Sequence, residues 1–185
     1  SRYKKKHNLA LKYGLYTGQN PLIEKCIYNN KVQVEGYECL NGQHFDIIEE
    51  LSSLNKNDIE DIRAIYKVSK INIIVGEKSV LFLTEHLANL QVITFEQQIL
   101  MYQLIVDYFL HDYRLIWKMH PDDVLYYDTL FPESILISEP FPAELLPFIF
   151  EELPSCAATV SSSSVNSIRS CFNKILEFNQ EFSYD

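Results

Sequence analysis

The chain has 185 residues, 47% of them hydrophobic, which is enough for one ordinary domain, or one domain and part of another, around a packed core. Its formal net charge of -9 argues against nonspecific nucleic-acid binding, which needs excess Lys and Arg to neutralise phosphates; only Arg2-Tyr3-Lys4-Lys5-Lys6 is locally basic. No apolar run approaches the roughly 20 residues of a membrane span, and nothing at the start resembles a signal peptide. The four cysteines, Cys26, Cys39, Cys156 and Cys171, lack both zinc-site pairing and the density of a disulfide scaffold, so a reducing cytoplasm is the expected setting and Cys156 and Cys171 are expected to be small buried residues.

In chain order, residues 1–30 show little sustained period, and Tyr13-Gly14-Leu15-Tyr16-Thr17-Gly18 reads as a turn. The stretch 31–37 alternates as a strand does. Asp58 is the expected N-cap of a helix carrying Ile59, Ile62, Ile65 and Tyr66 on one side, and 71–75 reads as a second strand. After Gly76-Glu77, the run 78–84 is continuously apolar in the manner of a strand buried on both faces of a parallel sheet.

From there the pattern is regular. A loop at 85–93 leads to a helix capped by Thr94, with Phe95, Ile99, Tyr102, Val106 and Phe109 on one face. A strand at 114–118, a short helix near 122–130, a strand at 134–138, a helix at 142–152, a strand at 156–160 and a helix from 162 follow. Strands alternating with helices predict an α/β fold with a Rossmann-like parallel sheet, whose ligand sits at the carboxyl ends of the strands. The expected division is a connecting segment with the tail end of a preceding half at 1–77 and a Rossmann-like nucleotide-binding domain at 78–185. The Ser1 start reads as an excerpt whose true beginning lies upstream.

The residues able to carry chemistry fall in the loops after those strands. His120 precedes Pro121, whose ring restricts the preceding backbone to extended conformations and so aims the imidazole. A positioned His suits acid catalysis or phosphate binding. Glu144 stands in the first turn of an expected helix, where a carboxylate either caps the helix or accepts ribose hydroxyls. The run Ser161-Ser162-Ser163-Ser164 exceeds what capping requires, and its hydroxyls suit a phosphate. Asp122 and Asp123 beside His120 suggest a metal site, but the other histidines, His7, His44, His86 and His111, show no HExxH-like spacing, so metal-dependent hydrolysis is not expected, and Walker A, G-x-G-x-x-G and G-x-S-x-G motifs are absent.

Lys118-Met119-His120-Pro121, Phe141-Pro142-Ala143-Glu144-Leu145-Leu146 and Ser161-Ser162 together resemble the HP motif, the ribose-binding Glu and the serine motif of bacterial GT-B sialyltransferases. The nearest resemblance is to glycosyltransferase family 52, the lipooligosaccharide and capsule sialyltransferases. Leu81-Phe82-Leu83-Thr84-Glu85-His86-Leu87 is similar to the strand and loop that open the C-terminal half in that family. The resemblance covers about residues 78–170. It implies the C-terminal half of a GT-B enzyme that transfers sialic acid from CMP-sialic acid to a galactose-type hydroxyl, with inversion and without a metal or other cofactor. On that resemblance His120 meets the donor phosphate and acts as the acid, Lys118 and Pro121 border the cytosine, Glu144 holds the ribose, and Ser161 and Ser162 hold the phosphate.

The family's acidic-Gly motif, which carries the catalytic base, has no good counterpart, since Glu35-Gly36 falls inside an expected strand. Glu85 is the in-chain candidate for the base, and the acceptor-binding half is expected upstream of these residues. The implied partners are a nucleotide-sugar donor and a glycan acceptor in surface polysaccharide synthesis, and no nucleic acid. Peripheral association with the inner face of the membrane and a homodimer are compatible with that role. Two other readings fit the same residues: a glycosyltransferase using another nucleotide sugar, and a non-catalytic nucleotide-binding module.

Overall fold

A computed structural model of the chain describes residues 8–9, 12–13, 26–28, 42–73 and 78–179. The strand expected at 31–37, the turn at 14–18 and part of the strand at 71–75 lie outside these residues. The chain divides into two compact units, Ser1–Leu54 and Asn55–Asp185. In the first, β1 (Cys26–Tyr28) pairs in parallel with β2 (Gly42–His44), and α1 (Ile47–Ser53) starts at Asp46, whose carboxylate accepts the N–H groups of Ile48 and Glu49.

The second unit opens with α2 (Lys56–Tyr66). Its N-cap is Asn55, not the expected Asp58: Asn55 Oδ1 accepts the N–H groups of Asn57 and Asp58, while Asn55 Nδ2 donates to Asp58 Oδ2 at 2.6 Å. The expected apolar face also fails at its end, because Ile65 is 76% exposed and the buried residue is Arg63. Arg63 is held there by both Glu60 carboxylate oxygens, each 2.7 Å from Nη1, which offset the cost of burying its charge.

The sheet is formed by β3 (Ser79–Leu83), β4 (Arg114–Lys118), β5 (Ile135–Ile137), β6 (Cys156–Thr159) and β7 (Ile175–Glu177). All neighbours are parallel, in the order β5-β4-β3-β6-β7. This is the expected α/β, Rossmann-like arrangement. The chain leaves β3 to one side for β4 and later returns to its other side for β6, so the topological switch point lies between the ends of β3 and β6. The three-residue edge strand β7 falls where the sequence reads as helix.

One sheet face presents Val80, Phe82, Trp117, Cys156 and Ala158 to α3 (Phe95–Ile105). Trp117 sits at the centre of an aromatic cluster, with ring centroids 4.8 Å from Phe82, 5.1 Å from Tyr127 and 4.8 Å from Phe131. The cap expected at Thr94 forms, and Gln97 completes it as a capping box. The helix then passes into a π-turn over Val106–Leu110. A π-turn inserts one extra residue, so the buried set becomes Tyr102, Ile105 and Leu110, and the expected Phe109 is turned 56% toward solvent.

The remaining helices are shorter than the sequence suggests. The segment near 122–130 gives α4 (Tyr127–Leu130), and the helix expected at 142–152 is a 3-10 helix, Ala143–Phe148, with Pro147 inside it. The helix expected from 162 is α5 (Ser164–Ile168), followed by a 3-10 turn at Arg169–Cys171. Cys156 is buried as expected, whereas Cys171 is only half-buried. Among the described residues no helix is long and apolar enough to cross a membrane.

Candidate functional site

The loops after β3, β4 and β6 meet at the switch point, and hydrogen bonds fix them to one another. Thr84, the residue after β3, donates its N–H to Lys118 O at 3.0 Å and accepts the His120 N–H on Oγ1 at 2.9 Å. On the other side Thr159 Oγ1 donates to Leu83 O at 3.1 Å and accepts the Ser162 N–H at 2.9 Å. Both threonines are buried, so these bonds are protected from water. Two threonine hydroxyls thus hold His120 and Ser162 against the end of the central strand.

The loop that carries Glu85 and His86 is held from beneath by α3. Buried Gln98 donates from Nε2 to Glu85 O at 2.9 Å and accepts the Ala88 N–H on Oε1 at 2.7 Å. The buried Tyr102 hydroxyl accepts the Glu85 N–H at 3.0 Å. Burial drives the acidity of that hydroxyl far below the ordinary tyrosine range, its pKa moving upward. The loop therefore has little freedom, and the half-buried side chains of Glu85 and His86 project from a fixed backbone.

His120 is half-buried, and its ring stacks on that of His86, with centroids 3.9 Å apart and planes 23° apart. Its Nδ1 accepts the Asp122 N–H at 3.1 Å. That contact uses a lone pair on Nδ1, which in the neutral ring leaves the proton on Nε2. Asn89 Nδ2 donates to Asp122 O, tying this turn to the β3 loop a second time. Buried Asp123 accepts the Leu125 N–H at 3.2 Å and the Tyr127 hydroxyl at 2.6 Å, which anchors the far end of the turn in the aromatic core.

The other expected residues are placed as follows. Lys118 is buried, with Nζ 3.1 Å from both Met119 O and Glu139 O and 4.7 Å from the centre of the Phe141 ring. Burial lowers its pKa, an effect opposed by the Glu139 carboxylate. Lys118 thereby fastens the loop after β5 to the end of β4. Pro121 is exposed beside His120. Glu144 is half-buried in the first turn of the 3-10 helix beyond β5, on the β4 side of the sheet. Ser162 is buried and Ser161 exposed, both ahead of α5 and not inside a helix.

Residues 7–170 match the family model described as alpha-2,8-polysialyltransferase. The chain belongs to the alpha-2,8-polysialyltransferase family. Among curated proteins none matches it.

The polysialyltransferase family is one of sialyltransferases, and so of glycosyltransferases, which is the class the HP and serine motifs resemble. The match spans both compact units and ends at residue 170, just past α5, so all three site loops lie within it. Sequence reasoning missed Thr84, Thr159, Gln98, the anchoring role of Asp123, which it weighed only with Asp122 as a metal ligand, and His86. The first four are polar residues in apolar or loop contexts whose task emerges only when two loops meet. His86 carried a weak signal, being a second histidine one residue past Glu85 in a loop already assigned to the ligand edge.

Proposed function

We propose that this chain is an inverting, metal-independent sialyltransferase that uses CMP-sialic acid. The supporting observation is that the family match includes three motif-bearing loops joined at one switch point, by Thr84 to His120 and by Thr159 to Ser162. In this reading the nucleotide lies across the ends of β3, β4 and β6. Glu144 holds the ribose hydroxyls, Lys118 and Pro121 border the base, and Ser161 and Ser162 hold the phosphate.

His120 donates its Nε2–H to the leaving phosphate. The transition state is oxocarbenium-like, so negative charge grows on that phosphate, and a donor fixed in advance lowers the barrier. The Asp122 N–H contact favours this hydrogen-bonding role over proton transfer, because a histidine acting as acid also carries a proton on Nδ1. Glu85 takes the proton of the acceptor hydroxyl. The family's description directs the acceptor reading toward a sialic acid terminus extended through an α-2,8 bond, in place of the galactose-type hydroxyl. The implied setting is surface polysaccharide synthesis at the inner face of the membrane, and the expected acceptor-binding half supplies the rest of the acceptor site.

Calorimetric titration with CMP, beside UDP and GDP and with a chelator present, tests this. The expected result is selective CMP binding, weakened about tenfold or more both in His120→Ala and in the Ser161→Ala, Ser162→Ala pair. Equal binding of UDP and GDP would move the proposal to another nucleotide sugar, and transfer assays with sialylated and galactose-terminated acceptors would decide the acceptor.

A further inference from the structure

His86 has no part in the donor reading, yet the fold brings it against His120. One nitrogen from each of these imidazoles and one carboxylate oxygen of Asp122 all lie within 4.8 Å of one another. His86 Nδ1 is buried and has no hydrogen-bond partner among the described residues. Such an atom forgoes the hydration it has in the unfolded chain, so a ligand that supplies a partner gains correspondingly. Asp122 is exposed, so the group opens to solvent on the carboxylate side.

We propose that His86, His120 and Asp122 form a binding site for a divalent transition metal ion, of which zinc is the best fit, and that the ion excludes the nucleotide from His120. Two imidazoles with one carboxylate suit zinc and its neighbours; magnesium and calcium take oxygen ligands throughout. Three protein ligands leave a fourth position for water or an anion. The two loops that carry the set are already fixed, by Gln98 and Tyr102 beneath His86, by Thr84 on His120, and by Asn89 on Asp122.

Zinc–ligand bonds of about 2.0–2.2 Å place tetrahedral ligand atoms roughly 3.3 Å apart, and each imidazole binds along its own ring plane, so one of the two stacked rings must turn out of the stack and the carboxylate must draw in. The exposed Asp122 side chain is free to make that movement by a change of rotamer. The Asp122 N–H contact to His120 must also open. An ion on Nδ1 takes the lone pair that the N–H uses, and an ion on Nε2 moves the ring proton to Nδ1. The turn at 120–123 therefore has two arrangements, one that keeps Nε2–H for a phosphate and one that holds an ion. This exclusion rests on the donor reading above; the ion site itself does not.

The test uses the intact chain, stripped with a chelator. Zinc is titrated in competition with a chromophoric chelator, and cobalt is titrated by its visible absorption. The expected result is one ion per chain, with affinity reduced at least tenfold in His86→Ala, His86→Gln and Asp122→Asn, each checked for folding by its urea midpoint. Bound cobalt should show ligand-field bands without a thiolate charge-transfer band. No binding, binding unchanged in the folded His86 variants, or a thiolate band that places the ion on cysteine would overturn the site. CMP is then titrated with and without zinc. Weaker CMP binding in zinc supports the exclusion, whereas an ion bound with CMP affinity unchanged refutes it. A chain that binds the ion and no nucleotide even when stripped keeps the metal site and counts against the donor reading.

Discussion

Thr84 Oγ1 accepts the backbone N–H of His120 at 2.9 Å, and the Thr84 N–H returns to Lys118 O at 3.0 Å. One residue thus closes the ends of β3 and β4 against each other where the HP turn begins. Thr84→Val keeps the shape and removes the acceptor, leaving the His120 N–H unpaired. We expect a stability loss of about 1–3 kcal/mol in urea unfolding, together with weaker CMP binding, and recovery of most of both in Thr84→Ser. An unchanged midpoint in Thr84→Val would mean that water replaces the hydroxyl at no cost.

Asp123 and Tyr127 form the second anchor of the same turn. Asp123 is buried, and its Oδ2 receives the Tyr127 hydroxyl at 2.6 Å. Tyr127→Phe leaves that oxygen without its partner, so the folded state should lose about 1.5–3 kcal/mol, the range for a hydrogen bond to a charged group. Adding Asp123→Asn should cost less in the Tyr127→Phe background than in the native chain. A double-mutant cycle measures that coupling, and strictly additive losses would show that the pair acts independently.

The sheet was legible because its strands are apolar runs and its connections carry strong punctuation: Thr94 with Gln97 caps α3, and Pro121, Pro140 and Pro142 mark loops. Less legible were elements set by tertiary contacts. The π-turn at Val106–Leu110 shifts the buried face by one residue, and β7 is three half-buried residues at an edge, which local periodicity does not distinguish from helix. At the site, His120 and the serines stood out by residue type and position. Thr84, Thr159 and Gln98 did not, because a buried polar side chain reveals its task only when its partner from another loop is known.

Stability should fall in alkali. Burial raises the pKa values of Tyr102 and Tyr127 above the ordinary 10.0 and that of Cys156 above 9.0. Each group keeps its proton in the folded chain at a pH where the unfolded chain releases it. The folded state then binds more protons, and stability declines as pH rises past 9.0 and more steeply past 10.0, by up to about 1.4 kcal/mol per pH unit for each group. Lys118 opposes this: burial lowers its pKa below 10.5, so the unfolded chain holds more protons in that window and stability rises through it. Up to 10.0 Cys156 and Lys118 therefore oppose each other alone, and above 10.0, where both tyrosines join Cys156, the net is a decline. Urea midpoints from about pH 8 to about pH 11 check it, with a flatter slope expected in Tyr102→Phe.

The link between β3 and β6 offers a test that touches no proposed ligand-binding side chain. Thr159 Oγ1 donates to Leu83 O and accepts the Ser162 N–H, so Thr159→Val removes two contacts at the switch point while keeping the volume of the side chain. A stability loss of about 1–3 kcal/mol follows from the unpaired groups alone, and Thr159→Ser should restore most of it. If Ser161 and Ser162 hold the donor phosphate, CMP affinity in Thr159→Val should also fall several-fold, because their loop loses its attachment to the sheet. CMP affinity that stays constant in a folded Thr159→Val chain would make the serine run a structural turn and leave the phosphate to His120.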